Sequence, residues 1–291
     1  PNYQILHVIP RSFTVDSQSG IKDPVGMTGI RLEVEAQIIQ GLSAQVKNIT
    51  KSVYRTGVDI DDVVLAPLAA AEASLNKRQK ELGVCLVNIG GSTTSIAVFE
   101  EGDVLHTSIL PVGSTHITSD IAIGLRTSLE TAELVKVRYG TALPDDIDKK
   151  EEIDLSEFGD SEEEVVSRRH VADIIQARVE EIFQMADGEL KGIERSGKLP
   201  AGIVITGGGA KLEGLVDIAR KEFRLPASIG YPKEVSSAID KVHDPTLSTA
   251  VGLVLWGDHL QQEGGAGMLS RFSSVHHGVG KMRSWFQSLG T

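Results

Sequence analysis

The stretch Gly83–Val98, GVCLVNIGGSTTSIAV, decides how the rest of the chain is read. Val84, Leu86, Val87 and Ile89 form a nearly continuous apolar run, the pattern of a strand buried on both faces. Gly90 and Gly91 break that run, Ser92, Thr93, Thr94 and Ser95 follow, and Ile96, Val98 and Phe99 resume a strand-forming pattern. Glu100–Asp103, EEGD, marks a second turn and Val104–Leu110 a third strand. The order is strand, glycine turn, strand, turn, strand, and no helix follows the glycines. A P-loop or a dinucleotide fingerprint needs its glycines to open a helix, so both are excluded here. At a hairpin tip, glycine lets the backbone approach an anion, and the hydroxyls of Ser92, Thr93 and Thr94 can donate to phosphate oxygens. A plain flexible tip accounts for the Gly-Gly pair alone; three hydroxyls directly after it weigh towards an anion.

The chain around this stretch has 291 residues, 41% of them apolar, enough for a substantial core in two domains or in one divided by a cleft. Its net charge of −11 and pI near 5.2 argue against broad nucleic-acid binding. Cys85 is the single cysteine and lies inside the buried-strand pattern. A disulfide framework is therefore excluded, and a packed core thiol in a reducing compartment is expected. No signal peptide and no apolar run of spanning length is found, so the default expectation is the cytosol.

Outward from the hairpin, Tyr3–Pro10 reads as a strand already under way, and Arg11–Thr28 as loop with a short strand at most. Arg31–Gln40 alternates as a half-buried strand, Ser43–Thr56 carries Val46, Ile49 and Val53 at helical spacing, and Pro67–Leu75 is an alanine-rich helix able to cross another closely. Helical stretches are expected from Ser119, over Thr131–Tyr139 and over Arg169–Leu190, with Pro144–Glu164 between them as a mobile acidic surface excursion. Ala201–Leu215, AGIVITGGGAKLEGL, is the second strong signal: a buried strand at Ile203–Ile205, glycines at 207–209 and a helix over Leu212–Phe223. Pro245–Trp256 is a further small-residue helix in which Thr249, Ala250 and Gly252 permit close packing.

These segments resemble the actin, Hsp70 and sugar-kinase ATPase superfamily. NIGGSTTSIAV is similar to its second phosphate motif, ITGGGAKLEG to its adenosine motif, and APLAAAEASL and STAVGL to its two crossing connecting helices, all in the right order. Within it, ILHVIPRSFTVDSQSGIKDPVGMTGIRLEVEAQII, LGVCLVNIGG and AELVKVRYG resemble the FtsA family of bacterial division proteins, over about Pro1–Trp256. The resemblance implies an α/β, actin-like ATPase fold with ribonuclease H-like subdomains, its N-terminal part missing. It implies a remainder of subdomain 1C at 1–40, a second part of 1A at 41–76, 2A at 77–120 and 184–258, and 2B at 121–183. It assigns Gly90, Gly91, Ser92, Thr93 and Thr94 to the β- and γ-phosphates of ATP, Glu133 and Lys136 to the ribose and adenine side, and Gly207, Gly208 and Gly209 to the adenosine. Glu133 and Lys136 otherwise read as an exposed helix ion pair.

Three departures bear on chemistry. Asn88 stands where the superfamily has an aspartate that holds Mg2+ through water; an amide can accept from metal-bound water but adds no charge. Ala66 stands where the chaperone branch has a carboxylate near the attacking water, which fits binding with weak or absent hydrolysis. The first phosphate loop is expected upstream of Pro1, so this chain alone is expected to bind nucleotide weakly or not at all.

At the other end, Gln261–Gly280 reads as a flexible linker. Beyond it, Met282, Trp285, Phe286 and Leu289 stand at helical spacing beside Lys281 and Arg283, suited to the headgroup boundary of an anionic bilayer. The expected function is an ATP-binding adaptor that self-assembles and tethers FtsZ to the cytoplasmic face of the bacterial membrane at the division site. Its partners would be the FtsZ C-terminal tail, further copies of itself, the membrane and later division proteins, with no nucleic acid. Lys211, Arg220, Lys221 and Arg224 form a basic group that could meet an acidic tail. An ATP-hydrolysing Hsp70- or sugar-kinase-like enzyme and an actin-like pilus-assembly scaffold are the alternatives.

Overall fold

The computed structural model describes residues 2–158, 165–233 and 240–262. They fall into two compact units, 1–65 with 253 onward, and 66–252.

The first unit is built on a three-stranded antiparallel sheet, order β2-β1-β3, from β1 (Tyr3–Val15), β2 (Gln18–Ile21) and β3 (Leu32–Leu42), followed by α1 (Ser43–Tyr54). β1 runs well past Pro10, correcting the loop expected from Arg11. Pro10 is tolerated because the β1–β3 register shifts between Pro10 and Ser12, so its missing N–H falls at a bulge. Asp16, in the left-handed region at φ 53, makes the next turn, and its Oδ1 accepts from Ile30 N and Arg31 N. Buried His7 accepts at Nε2 from Leu65 N at 3.0 Å and meets Trp256 edge-on at 6.3 Å.

The second unit opens with α2 (Ala66–Ser74) and α3 (Lys77–Leu82), the latter started by an Asn76–Gln79 capping box. The glycine hairpin is present as read: β4 (Val84–Ile89) and β5 (Thr94–Glu100) pair antiparallel, and β6 (Asp103–Leu110) pairs with β5. Helices α4 (Ser114–Leu125) and α5 (Leu129–Tyr139) follow, then a small hairpin, β7 (Glu152–Asp154) with β8 (Val165–Ser167), and the long α6 (Arg168–Gly192). β9 (Gly202–Thr206), α7 (Leu215–Phe223), β10 (Ala227–Ile229) and α8 (Ser248–Gln262, to Gly252 in this unit) complete it. The five-stranded sheet has the order β10-β9-β4-β5-β6, with β10, β9 and β4 parallel. Every residue of β9 is buried, as are all of β4 but Asn88, which explains their nearly continuous apolar reading. One stripe of α6, through Val171, Ile175, Val179, Ile182 and Phe183, is buried in the core, where Phe183 and Phe223 stand 5.4 Å apart.

Two expectations need correction in this unit. The acidic segment from Pro144 is packed over its described part: Ile147, Ile153 and Leu155 are buried, because isolated apolar residues among the charges anchor short 3-10 turns and β7. Residues 159–164 lie outside the described residues. The glycines at 207–209 do not open a helix directly. A 3-10 turn over Gly208–Lys211 comes first, and Gly214, at φ +83, redirects the chain before α7 starts at Leu215.

Candidate functional site

Parallel pairing of β4 with β9 places Asn88 opposite Thr206, so the two glycine loops leave the carboxyl ends of neighbouring strands. The 207–209 loop packs on the end of β4. A Cβ added to Gly209 would lie 2.5 Å from Ile89 Cγ2, and one on Gly207 would lie 2.5 Å from the Ile89 carbonyl oxygen and 2.3 Å from Asn88 Oδ1. Only glycine permits this approach, and at Gly207 the φ of 88 favours it as well. The amide of Asn88 is held by donation from Nδ2 to Thr249 Oγ1 at 3.3 Å.

The hairpin tip is fixed by the start of α4. Gly90 N donates to Thr93 O, closing the turn, while Ser114 and Thr115 donate from both amide and hydroxyl to the carbonyls of Gly90 and Gly91 at 2.8–3.1 Å. Gly113 must be glycine, since a Cβ there would come within 2.5 Å of Gly91 O and 2.7 Å of Gly90 O. With its carbonyls turned to α4, the tip leaves Gly91, Ser92 and Thr93 exposed, and among the described residues their amides donate to no backbone group. That supplies exposed donors on a bend that an anion can approach. Thr94 stands apart: it is fully buried and its hydroxyl donates to Val112 O at 2.8 Å, so it anchors the base of the turn.

Glu133 and Lys136 join the same network from α5. Lys136 Nζ donates to Glu133 Oε2 at 2.6 Å, to Thr118 Oγ1 at 2.7 Å and to Ser114 O at 3.3 Å, tying α5 to the turn that holds the tip. The pair is not a solvated surface contact, since the lysine side chain is only 11% exposed against 47% for the glutamate. Partial burial works to raise the Glu133 carboxyl. Hydrogen bonds from Lys136 and Thr118 and the lysine charge outweigh it and hold the group below its ordinary value.

The 207–209 loop is backed by residues 244–249. Gly207 N donates to Pro245 O at 3.2 Å, and buried Thr206 and Ser248 share a 2.6 Å hydroxyl contact. Lys211 pairs with Asp244 at 2.5 Å, and that bond, with those from the Thr246 amide and hydroxyl, brings the Asp244 carboxyl down to about 2. The basic group read in the sequence is thereby distributed. Lys211 goes to Asp244, Arg220 to Asp217 and Lys221 to Glu180, while Arg224 bonds Ser196.

The candidate residues Asn88, Gly90, Gly91, Ser92, Thr93, Glu133, Lys136, Gly207, Gly208 and Gly209 thus belong to one connected region at the carboxyl edge of the sheet. Sequence reasoning missed Gly113, Ser114, Thr115 and Thr118; the run GST immediately before an apolar helical pattern was the available signal. Among the described residues no group of three or more metal-ligating side chains is found, and no helix is long and apolar enough to cross a membrane. The stretch expected to face lipid, Lys281, Met282, Arg283, Trp285, Phe286 and Leu289, lies outside the described residues, and so does the expected linker beyond Gln262; before that, α8 runs past Trp256 to Gln262, correcting the linker start expected at Gln261.

Comparison with known proteins follows the same outline. A family model described as cell division protein FtsA matches residues 85–252, and one described as the SHS2 domain inserted in FtsA matches residues 1–40. The chain is 39% identical over 261 residues to the cell division protein FtsA of Pseudomonas aeruginosa, covering 90% of this chain and 63% of that protein. It is 40% identical over 288 residues to that of Neisseria meningitidis serogroup B (93% and 69%), and 34% over 293 residues to that of Escherichia coli K12 (98% and 70%). The chain therefore spans roughly two thirds of the length of these relatives, from 63% to 70%. Among solved structures, MreB5 of Spiroplasma citri bound to ADP superposes with a TM-score of 0.61 at 18% identity, covering 78% of this chain and 69% of that one. The PilM–PilN type IV pilus biogenesis complex gives 0.61 at 18%, covering 86% and 66%. These likenesses fix the fold as actin-like, and the sequence matches go further: the chain belongs to the FtsA family of cell-division proteins.

Proposed function

We propose that the chain forms part of an ATP-binding, actin-like adaptor that self-assembles and tethers the FtsZ ring to the cytoplasmic membrane at the division site. The observation that carries the nucleotide reading is that two glycine loops leave the carboxyl ends of adjacent parallel strands, with 207–209 packed on the end of β4, where open α/β sheets take their ligands. In this reading the exposed amides and hydroxyls of Gly91, Ser92 and Thr93 bind the phosphates, with Gly90 and Thr94 shaping the turn. Gly207, Gly208 and Gly209 give the adenosine close access to backbone, and Glu133, oriented by Lys136, faces the sugar side. Asn88 fits Mg2+ as an acceptor for metal-bound water, and the cation supplies charge neutralisation at the phosphates when bound. Ala66, opening α2, carries no group able to orient an attacking water, which supports a nucleotide that is held with little turnover.

The family supports the division-site role, with the FtsZ tail, further copies, later division proteins and an anionic membrane as partners. The 1C, 1A, 2A and 2B boundaries given from the sequence belong to the same proposal. Calorimetric titration of Mg·ATP into the gene product that carries this chain tests the nucleotide half. Micromolar binding is expected, weakened about tenfold or more by Thr93→Ala, the usual effect of losing a hydrogen bond to a charged group. Affinity unchanged by Thr93→Ala and by Gly209→Val, with both variants folded, would refute it. Liposome co-sedimentation with and without residues 281–291 tests the tether.

A further inference from the structure

Helix α1 is unlike the other long helices in its charge. It carries Lys47 and Lys51, with Arg55 at its C-cap, and no acidic residue at all. Spaced at i, i+4 and i+8, the three cations stand on one side within an arc of about 80°. All three are exposed, and no ion pair engages any of them among the described residues. Like charges at this spacing destabilise a helix. Several cations elsewhere are neutralised, as Arg178 is by Asp120, Arg195 by Glu100 and Lys221 by Glu180, and α1 is the described helix on which three stand unpaired along one side. The side of α1 that meets the sheet lies away from this stripe, at half-buried Val46, whose Cγ2 would lie 3.2 Å from a Cβ on Gly41 at the end of β3, beside the Leu6 side chain of β1. The cationic side is thus directed to solvent in a protein of net charge −11, a local reversal of sign that the fold does not use.

We propose that this face of α1 is a second membrane-contact surface, taking the anionic headgroups of a phospholipid bilayer through Lys47, Lys51 and Arg55. Tyr54, 56% exposed, flanks the stripe and presents the amphipathic ring favoured at a headgroup boundary. Continuity of the chain favours lipid over an acidic protein. The second half of α8, residues 253–262, belongs to the same compact unit as α1, and from α8 the sequence runs on to the basic, aromatic stretch at Lys281–Leu289. A short terminal anchor binds weakly alone, and a second attachment in the same unit raises the total by effective concentration. The inference rests on the membrane-tether reading above.

The test is co-sedimentation of the full chain with phosphatidylcholine vesicles and with vesicles containing graded phosphatidylglycerol, at low and high salt. Wild type is compared with K47Q/K51Q/R55Q and, separately, with W285S/F286S. Each basic residue near an anionic bilayer contributes roughly a fivefold factor, so the triple neutralisation is expected to weaken phosphatidylglycerol binding at least tenfold. It should also flatten the salt dependence without lowering the melting temperature, since removing like charges at this spacing relieves the helix. Binding within twofold of wild type at both salts, while W285S/F286S loses it, overturns the α1 surface and leaves the tether standing. No vesicle binding by wild type overturns both, and α1-dependent capture of a polyglutamate peptide without vesicle binding assigns the face to an acidic protein instead.

Discussion

The closest approach in the second unit is between α2 and the start of α8, and it makes a two-sided prediction about glycine. A Cβ built on Gly252 lies 1.7 Å from Ala69 O, 2.4 Å from Ala69 C and 3.2 Å from Ala69 Cα. Carbon and oxygen normally come no closer than about 3.3 Å, so Gly252→Ala requires the helices to part by about 1.5 Å. The obstacle is backbone, which has no rotamer to escape into. Overpacking of this kind costs about 1–3 kcal/mol, and with a backbone obstacle the upper end applies. Replacing glycine by alanine inside a helix returns about 1 kcal/mol, leaving a net loss of about 2 kcal/mol. For a unit of this size that corresponds to a fall of roughly 4–8 °C in Tm.

Gly188, exposed in the last turns of α6 with nothing within 4 Å of its would-be Cβ, supplies the control. There Gly188→Ala gains the propensity alone, and Tm should rise by roughly 2–4 °C. The α8 displacement also has a local consequence, because Ser248 and Thr249 hold Thr206 and Asn88. Gly252→Ala should therefore weaken ATP binding, and Gly188→Ala should not. Differential scanning calorimetry of the two variants decides the matter. Equal signs, or a Gly252→Ala protein as stable as wild type, would refute the reasoning from the close crossing.

Further outcomes follow from the site and the core. Gly113→Ala should displace the hairpin tip from α4 and reduce Mg·ATP affinity at least tenfold, while Ser119→Ala, further along the same helix and exposed, should leave it within twofold in the same titration. Asp244, held at about 2 against an ordinary 3.8, contributes stability that is complete above about pH 4 and is lost as pH falls towards 2; Lys211→Met should raise its carboxyl titration midpoint, read by NMR. Cys85 is fully buried and its thiol is pushed up by desolvation, so it should be inert to a thiol reagent in the folded protein and react at once in urea. Phe183→Ala, removing a fully buried ring that packs on Phe223, should cost about 3–5 kcal/mol in denaturant unfolding.

What the sequence determined by itself was whatever depends on local pattern. The nearly continuous apolar runs at 84–89 and 203–205 gave buried strands, the glycines at 90–91 gave a hairpin rather than a helix start, and Thr249, Ala250 and Gly252 announced close helix packing. Where the reading stopped early, a long-range contact had overruled a local signal. Pro10 looked like a strand end until a bulge against β3 absorbed it, and the acidic run from Pro144 looked mobile until Ile147, Ile153 and Leu155 found the core. Tertiary structure alone decided that the two glycine loops leave neighbouring strand ends, because parallel pairing of β4 with β9 joins residues over a hundred positions apart. It alone turned Glu133 and Lys136 from a helix-surface pair into a clamp on the hairpin tip, through Ser114 and Thr118. Spacing along a chain records which side chains share a face; which faces then come together is set by burial and pairing over the whole unit.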